Sequence, residues 1–414
     1  MIASSAGHSR PIVPAEAATL TFFLVAGEHS GDHLGGRLMQ SINRAHPGRV
    51  RYLGVGGEQM AAHGLTSLFQ LSDIAVMGPL EIAKRLPRII KRVHQTVRAA
   101  VAADPDVVVI IDAPEFTHAV AKRIRRRRPA LPIVDYVSPS VWAWRPGRAK
   151  RMRGYIDHVM ALLPFESDAH ARLGGPPCTY VGHPLIERAE WIRSRDPAAL
   201  ALRLGLDPAK PVIVVLAGSR VTEVTRLLDP FIAAVARLAA EPPGVEIVVP
   251  VVPSVRAIVA GRLAAAGLAA HIVEGEDDKF AAFRLARVAL AASGTVTLEL
   301  ALAGTPMVVG YKVDAVAAPV FRRLITANTI TLPNLVIGEN IFCEYIQEQC
   351  TSAALADAMR SLMQDGPVRD RQLAGLEQIP DRLRLDGLTP SEAAAALVLE
   401  ISGRQRGEAR RSSI

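Results

Sequence analysis

Short apolar, β-branched runs recur along this chain, each separated from the next by a longer stretch of helical periodicity. Strands that are apolar at every position are buried on both faces, so they call for parallel sheets with helices above and below. In the first half such runs fall at 21–26, 51–55, 107–111, 133–137 and 159–162. The Pro- and Gly-rich stretch GGPPCTYVGHPL (174–185) interrupts them, and a charged helix is predicted over 186–195. The alternation then restarts at 212–216, 246–249, 271–273, 288–291 and 307–309. The pattern predicts an α/β fold of two doubly wound, Rossmann-like halves. Residues 1–20 read as a loose extension, 21–185 as the first domain and 186–388 as the second. A C-terminal helix over 389–402 opens on TPSE, a capping box in which Thr389 and Glu392 satisfy each other's end of the helix. A polar tail, 403–414, is expected to be flexible.

Several classes are excluded by composition. Three cysteines in 414 residues (Cys178, Cys343, Cys350) make no disulfide framework, and they lack the CxxC spacing of a zinc site. Eleven histidines include no HExxH pair, so no metal site is expected. No apolar stretch is both long and unbroken enough to span a bilayer: the most apolar one, 286–311, is interrupted by Gly294, Glu299, Gly304 and Pro306. The chain also lacks a signal-peptide core, so a soluble or peripheral protein is expected. The net charge of +8 is unevenly placed, because residues 1–185 carry 23 Lys+Arg against 14 Asp+Glu while the remainder is nearly balanced. A basic first half concentrates anions, whether nucleic acid, anionic lipid or a phosphorylated substrate.

In open parallel sheets ligands collect where strands end and helices begin. Three such turns stand out. AGEHSGDHLGG (26–36) is glycine-rich but lacks GxGxxG spacing, and tight strand–helix packing accounts for its glycines equally well. AGSR (217–220) follows VIVVL; Ser219 is placed to cap the next helix, and Arg220 offers a guanidinium fork that suits phosphate, or a solvated surface side chain. ASGTVTLELALAGTP (292–306) opens a helix on Ser293, Gly294 and Thr295, with Glu299 one turn further in. A carboxylate on so apolar a helix needs a partner, either ribose hydroxyls or a neighbouring basic residue. Two phosphate-competent helix starts in one half point to a nucleotide diphosphate, and the missing GxxxxGK[ST] excludes a P-loop. Asp112, closing VVVIID, is the general-base candidate; the alternative is an Asp that bonds its own turn before Pro114.

The motifs AGEHSGD (26–32), GVGGEQMAAHG (54–64), DIAVMGPLEI (73–82), IDAPEF (111–116) and YVSPSVWAWRPGRAKRM (136–152) stand in a fixed order. LLPFE (162–166), VGHPL (181–185), AGSRVTEV (217–224), ASGTVTLELALAGTPMVVGYKV (292–313) and TLPNLVIG (331–338) follow. In these residues the chain resembles the lipid-A-disaccharide synthases, inverting glycosyltransferases with two Rossmann-like domains facing a cleft (glycosyltransferase B fold). The resemblance implies condensation of UDP-2,3-diacylglucosamine with 2,3-diacylglucosamine 1-phosphate, giving the β-1,6-linked disaccharide 1-phosphate and UDP. It implies Asp112 as the base and Arg220 as the essential arginine on the UDP phosphates, with Ser219 beside it. Ser293, Thr295, Glu299 and Asn334 are implied to line the UDP site, and Glu28, Ser30, Gly31 and Asp32 to lie near the reacting sugars. The chain reads AGSR where the family usually reads PGSR, and Glu344 and Gln347 keep family positions within ENIFCEYIQEQ (339–349). No cofactor is implied. The absence of a DxD pair after a strand in the second half agrees with a metal-independent reaction, with Arg220 and helix N-termini stabilising the leaving UDP.

The basic excess includes PLEIAKRLPRIIKRVHQTVRAAVA (79–102), with apolar residues at 82, 86, 89, 90, 93, 97 and 101 and most basic residues off that stripe. Pro87 is expected to kink it or to start a second helix. The segment fits a core-packing helix with a solvated face, or a helix lying on an anionic membrane surface. Acylated substrates favour the second reading: a peripheral protein on the cytoplasmic face of the inner membrane, with a homodimer also possible. A nucleic-acid partner is the weaker expectation, since RRM, KH and zinc-finger signatures are absent and aromatics make up only 5% of residues. Another UDP-sugar transferase or an epimerase on the same fold is the nearer alternative.

Overall fold

The structure, a computed structural model, describes residues 19–74, 79–314 and 328–412, with backbone alone for 79–84 and 405–412. The N-terminal extension therefore lies outside the described residues but for its last two, and the DIAVMGPLEI segment is described only in part. The chain forms two compact units, Met1–Val134 with Ala395–Ile414, and Asp135–Ala394.

Thirteen strands are described: β1 Leu20–Ala26, β2 Val50–Val55, β3 Thr66–Ser67, β4 Val107–Ile111, β5 Ile133–Tyr136, β6 His158–Ala161, β7 Cys178–Tyr180, β8 Val212–Leu216, β9 Glu246–Pro250, β10 His271–Val273, β11 Val288–Ala292, β12 Met307–Tyr311 and β13 Glu344–Ile346. The first sheet runs β3-β2-β1-β4-β5-β6-β7 and the second β10-β9-β8-β11-β12-β13. Pairs such as β1–β4 and β8–β11 are parallel, with Ala26 opposite Ile111 and Leu216 opposite Ala291. In each sheet the chain order reverses once, between β1 and β4 and between β8 and β11, so each has a topological switch point. All ten predicted strands are present within two residues at either end. Three were missed, β3, β7 and β13: they are two or three residues long, and β7 sits inside the stretch read as an interruption.

The helices are α1 His29–Ala45, α2 Glu58–Ala61, α3 Pro79–Ala103, α4 Pro114–Arg127, α5 Gly147–Met152, α6 Glu166–Arg172, α7 Ala189–Arg193, α8 Pro197–Leu204, α9 Val221–Ala239, α10 Pro253–Ala265, α11 Glu276–Leu285 and α12 Val296–Ala303. Beyond them lie α13 Leu332–Ile337, α14 Ser352–Met363, α15 Pro367–Leu383 and α16 Pro390–Ser412. The second sheet shows why its strands are continuously apolar. Val212, Val214 and Leu216 pack into one core cluster with Ala289, Ala291 and Met307, while Ile213 and Val215 enter the opposite cluster with Phe231, Leu290 and Val308. Every side chain of β8 thus finds a covered face.

Three expectations about helices change. The predicted 186–195 helix is a 3-10 turn, Pro184–Arg188, followed by α7. Pro87 lies within α3, which rules out the alternative that it starts a second helix. The last helix continues to Ser412, past the end expected at 402. Its start is the capping box: Thr389 N–H donates to Glu392 Oε2 at 2.9 Å, and Glu392 N–H to Thr389 Oγ1 at 3.3 Å. No helix among the described residues is long and apolar enough to cross a membrane.

Candidate functional site

The second unit holds a pocket of about 680 Å³ at the switch point of its sheet. The carboxyl ends of β8, β9 and β11 converge on it through Leu216, Pro250 and Ala292, and α9, α10, α11 and α12 all begin at its wall. Each helix start leaves backbone N–H groups without intrahelical partners, and the aligned peptide dipoles favour negative charge there. Ser219, Arg220, Ser293, Thr295 and Glu299 all line this pocket. Residues from two separate turns are thus brought together, as a diphosphate site requires.

Local geometry explains the first turn. Gly218 sits at φ +115°, and a Cβ there would fall 2.8 Å from Glu223 Cβ, so glycine is needed for backbone and space alike. Arg220, and not Ser219, occupies the N-cap position of α9, with extended backbone. Its side chain is 55% exposed and ends 3.7 Å from Glu223 Oε1, a loose tether that keeps the guanidinium over the pocket. Tyr311 also lines the wall; burial, and then the Glu223 carboxylate, push its phenol above the ordinary value, so it presents a neutral O–H.

At the second turn Ser293 Oγ–H donates to the Ile330 carbonyl at 2.7 Å, tying the turn to the chain before α13. Glu299 has the basic neighbour that was the alternative to ribose: Lys279 Nζ donates to both carboxylate oxygens, at 3.2 and 3.1 Å. Sequence reading missed Lys279, Glu223 and Tyr311. Glu223 stood in plain view within AGSRVTEV, whereas Lys279 lies on another helix with no local signal.

Asn334 is placed differently from the expectation. It is 1% exposed and lies outside the pocket wall. Its Oδ1 accepts from Ile341 N and Phe342 N, both at 2.9 Å, and its Nδ2 donates to the Phe342 carbonyl and to Thr329 Oγ1. With its hydrogen-bonding capacity used, it clamps the segment before β13 and has no group left for a ligand. Glu344 works on the same segment, its Oε2 accepting from Thr329 Oγ1, Ile330 N and both the N–H and hydroxyl of Thr331. Gln347 Oε1 accepts from Val313 N at 2.8 Å.

In the first unit the switch point between β1 and β4 carries the second group of candidates. Asp112, directly after β4, has φ +55°, and Ala113 follows at φ +43°. Two successive left-handed residues without glycine are uncommon and turn the chain sharply into α4. Gly27 allows the turn, since a Cβ there would lie 2.3 Å from Ala113 Cβ. Ser30 Oγ–H donates to Asp112 Oδ2 at 2.8 Å, and Ala113 N–H to Oδ1 at 2.8 Å. The turn-bonding reading of Asp112 is thus seen directly: one oxygen bonds its own turn, while the half-buried carboxylate keeps lone pairs for another donor.

Gly31 packs against the end of β4, where a Cβ would meet the Ile111 carbonyl at 3.0 Å. Glu28 is the N-cap of α1 without a side-chain cap bond. Asp32, expected near the sugars, is 3% exposed, and both its oxygens are engaged by backbone. Gly57 N and Met60 N donate to Oδ1 at 2.7 and 3.1 Å, and Gln59 N to Oδ2 at 3.0 Å. Its carboxylate holds the GVGGEQM turn and caps α2.

The YVSPSVWAWR and LLPFE segments meet inside the second unit around Glu166, which is 4% exposed. The Trp142 indole N–H donates to Oε1 at 3.1 Å, and Leu162 N and Leu163 N to Oε2 at 3.1 and 3.0 Å. Burial pushes the Glu166 carboxyl up to about 7, against the downward pull of these donors. Because the folded value exceeds the unfolded one of 4.5, the native state keeps a proton that the unfolded chain releases. The resulting stability is complete below pH 4.5 and is lost as pH rises to 7, about 3 kcal/mol in all. Urea unfolding should therefore show wild type losing about that much against Glu166→Gln over this range, whereas a pH-independent difference would refute it.

Among the described residues no group of three or more His, Cys, Asp or Glu is placed to hold a metal ion. A family model described as lipid-A-disaccharide synthetase matches residues 22–398. The lipid-A-disaccharide synthase of Nitrobacter hamburgensis is 49% identical over 385 residues, covering 93% of this chain and 96% of its own. That of Rhodopseudomonas palustris strain BisB18 is 48% identical, covering 92% and 96%. Among solved structures, the UDP-GlcNAc 2-epimerase of Neisseria meningitidis bound to UDP-GlcNAc aligns at TM-score 0.59 and 12% identity, covering 92% of this chain and 99% of its own. The S. aureus MnaA–UDP co-structure aligns at 0.61 and 14%, covering 94% and 97%. The structural likenesses bear out the expected glycosyltransferase B fold of two parallel α/β sheets. With the family model spanning nearly the whole chain and relatives near half identity end to end, this protein belongs to the lipid-A-disaccharide synthase family.

Proposed function

We propose that this glycosyltransferase condenses UDP-2,3-diacylglucosamine with 2,3-diacylglucosamine 1-phosphate. The acceptor's 6-hydroxyl oxygen attacks C1 of the donor sugar, the C1–O bond to the diphosphate breaks, and UDP leaves with the bonding pair. The hydroxyl proton passes to Asp112, and attack opposite the leaving group inverts C1 to the β linkage. The observation that carries this reading is the pocket at the β8–β11 switch point, where Arg220 and the starts of α9 and α12 line one cavity of a size that suits a nucleotide. Arg220 and the helix-start N–H groups then bear the charge that develops on UDP. On this reading 186–388 is the UDP-binding domain and 21–185 the acceptor domain.

The acceptor domain supplies the basic surface. On α3 Val93 and Val97 are buried while Leu86 and Ile90 are 48% and 46% exposed beside Lys91 and Arg88. An exposed apolar pair flanked by cations suits peripheral attachment at the anionic cytoplasmic face of the inner membrane. The side chains of 79–84 lie outside the described residues.

The deciding experiment supplies both diacylated substrates to the purified chain. The expected products are disaccharide 1-phosphate and UDP in equal amounts; conversion of unacylated UDP-GlcNAc without an acceptor would instead indicate an epimerase. Turnover should also persist in excess EDTA, and its abolition there would end the metal-independent reading.

A further inference from the structure

We infer that Lys279 is a positioning residue that fixes the Glu299 carboxylate as the receptor for a ribose diol and so sets the site's preference for ribonucleotides. The inference rests on the UDP reading of the pocket. The first turn of α11 carries three acidic residues, Glu276, Asp277 and Asp278. Such a run beside an anion site would repel a diphosphate. Each is claimed by an arginine from the segment before β8. Arg188 pairs with Glu276 at 2.7 Å, Arg195 with Asp277 and Arg203 with Asp278.

With its acidic neighbours so engaged, Lys279 turns to α12 and grips both oxygens of Glu299. Its ammonium also lies 4.4 Å from the centre of the Phe280 ring. The two side chains are 24% and 17% exposed, so the pair stands at the pocket wall with little screening by solvent. Two consequences follow from chemistry. The ammonium offsets a carboxylate that would otherwise stand unpaired in a cavity built for a polyanion. It also locks the carboxylate plane, leaving the remaining lone pairs of its two oxygens for two neighbouring O–H donors. A ribose presents such a pair on adjacent carbons; a 2′-deoxyribose presents one of them.

The test is calorimetric titration of the full chain with UDP and with 2′-deoxy-UDP, for wild type, Lys279→Met, Lys279→Arg and Glu299→Gln. Wild type should prefer UDP by about tenfold or more, the size expected for one hydrogen bond to a charged group. Lys279→Met should compress that ratio toward the Glu299→Gln value and raise KM for the donor more than it lowers kcat. Lys279→Arg, keeping two donors for the carboxylate, should recover part of the ratio, which a simple folding defect would not allow. An unchanged ratio in Lys279→Met, or equal weakening of both nucleotides, would overturn the inference. If wild type binds UDP and shows no preference, it is likewise overturned while the nucleotide reading stands. Failure of wild type to bind either nucleotide overturns the nucleotide reading itself.

Discussion

Arg220→Ala should lower kcat by about 10²–10³-fold while leaving the fold intact, the loss expected when one preorganised donor to a developing anion is removed. The unfolding midpoint should barely move, because the side chain is 55% exposed and its one described ion pair, to Glu223 at 3.7 Å, is long. The effect belongs in kcat because the leaving oxygen gains its charge only as the C1–O bond breaks. A contact made equally in ground and transition states would appear in KM instead. Arg220→Lys should recover only part of the activity, since an ammonium gives charge without the planar fork that meets two phosphate oxygens. Near-wild-type kcat in Arg220→Ala would remove this residue from the mechanism, and a collapsed unfolding midpoint would show it to be structural. The helix starts of α9 and α12 remain in the variant, so residual activity well above background is expected.

How much of this was legible in the sequence follows from how local each signal is. β8 could be read from VIVVL because all five side chains are buried, alternately on the two faces of the sheet. β3 and β13 left no such trace: at two and three residues they present partly exposed side chains at sheet edges, where pairing, not burial, defines them. Arg220 and Glu299 were legible because each stands near the end of an apolar strand, where the fold's logic puts ligands. Lys279 was not, since the pairing joins residues 20 apart on two helices. Asp32 and Asn334 teach the converse. Both sit in motifs that the resemblance ties to the substrates, yet each is buried with its polar atoms bonded to backbone. A sequence pattern marks that a residue is needed and is silent on whether it meets the ligand or holds the loop that does.

Asp112→Asn should cost about 10²–10⁴ in kcat, the range for loss of a general base, with the turn preserved. The choice of asparagine is dictated by the backbone. Position 112 lies at φ +55°, which Asn tolerates better than other non-glycine residues lacking a carboxylate, whereas Ala would add strain beside Ala113 at φ +43°. An Asn can also keep one side-chain oxygen for either Ser30 Oγ or Ala113 N, the two donors that now hold the carboxylate at 2.8 Å each. What it cannot do is accept the proton of the attacking hydroxyl. Those two donors fix the orientation in which the carboxylate would meet the attacking hydroxyl. Ser30→Ala should therefore have a smaller effect than Asp112→Asn, loosening the orientation but freeing a lone pair on Oδ2. Full activity in Asp112→Asn would leave the strained turn as architecture alone and send the search for the base elsewhere.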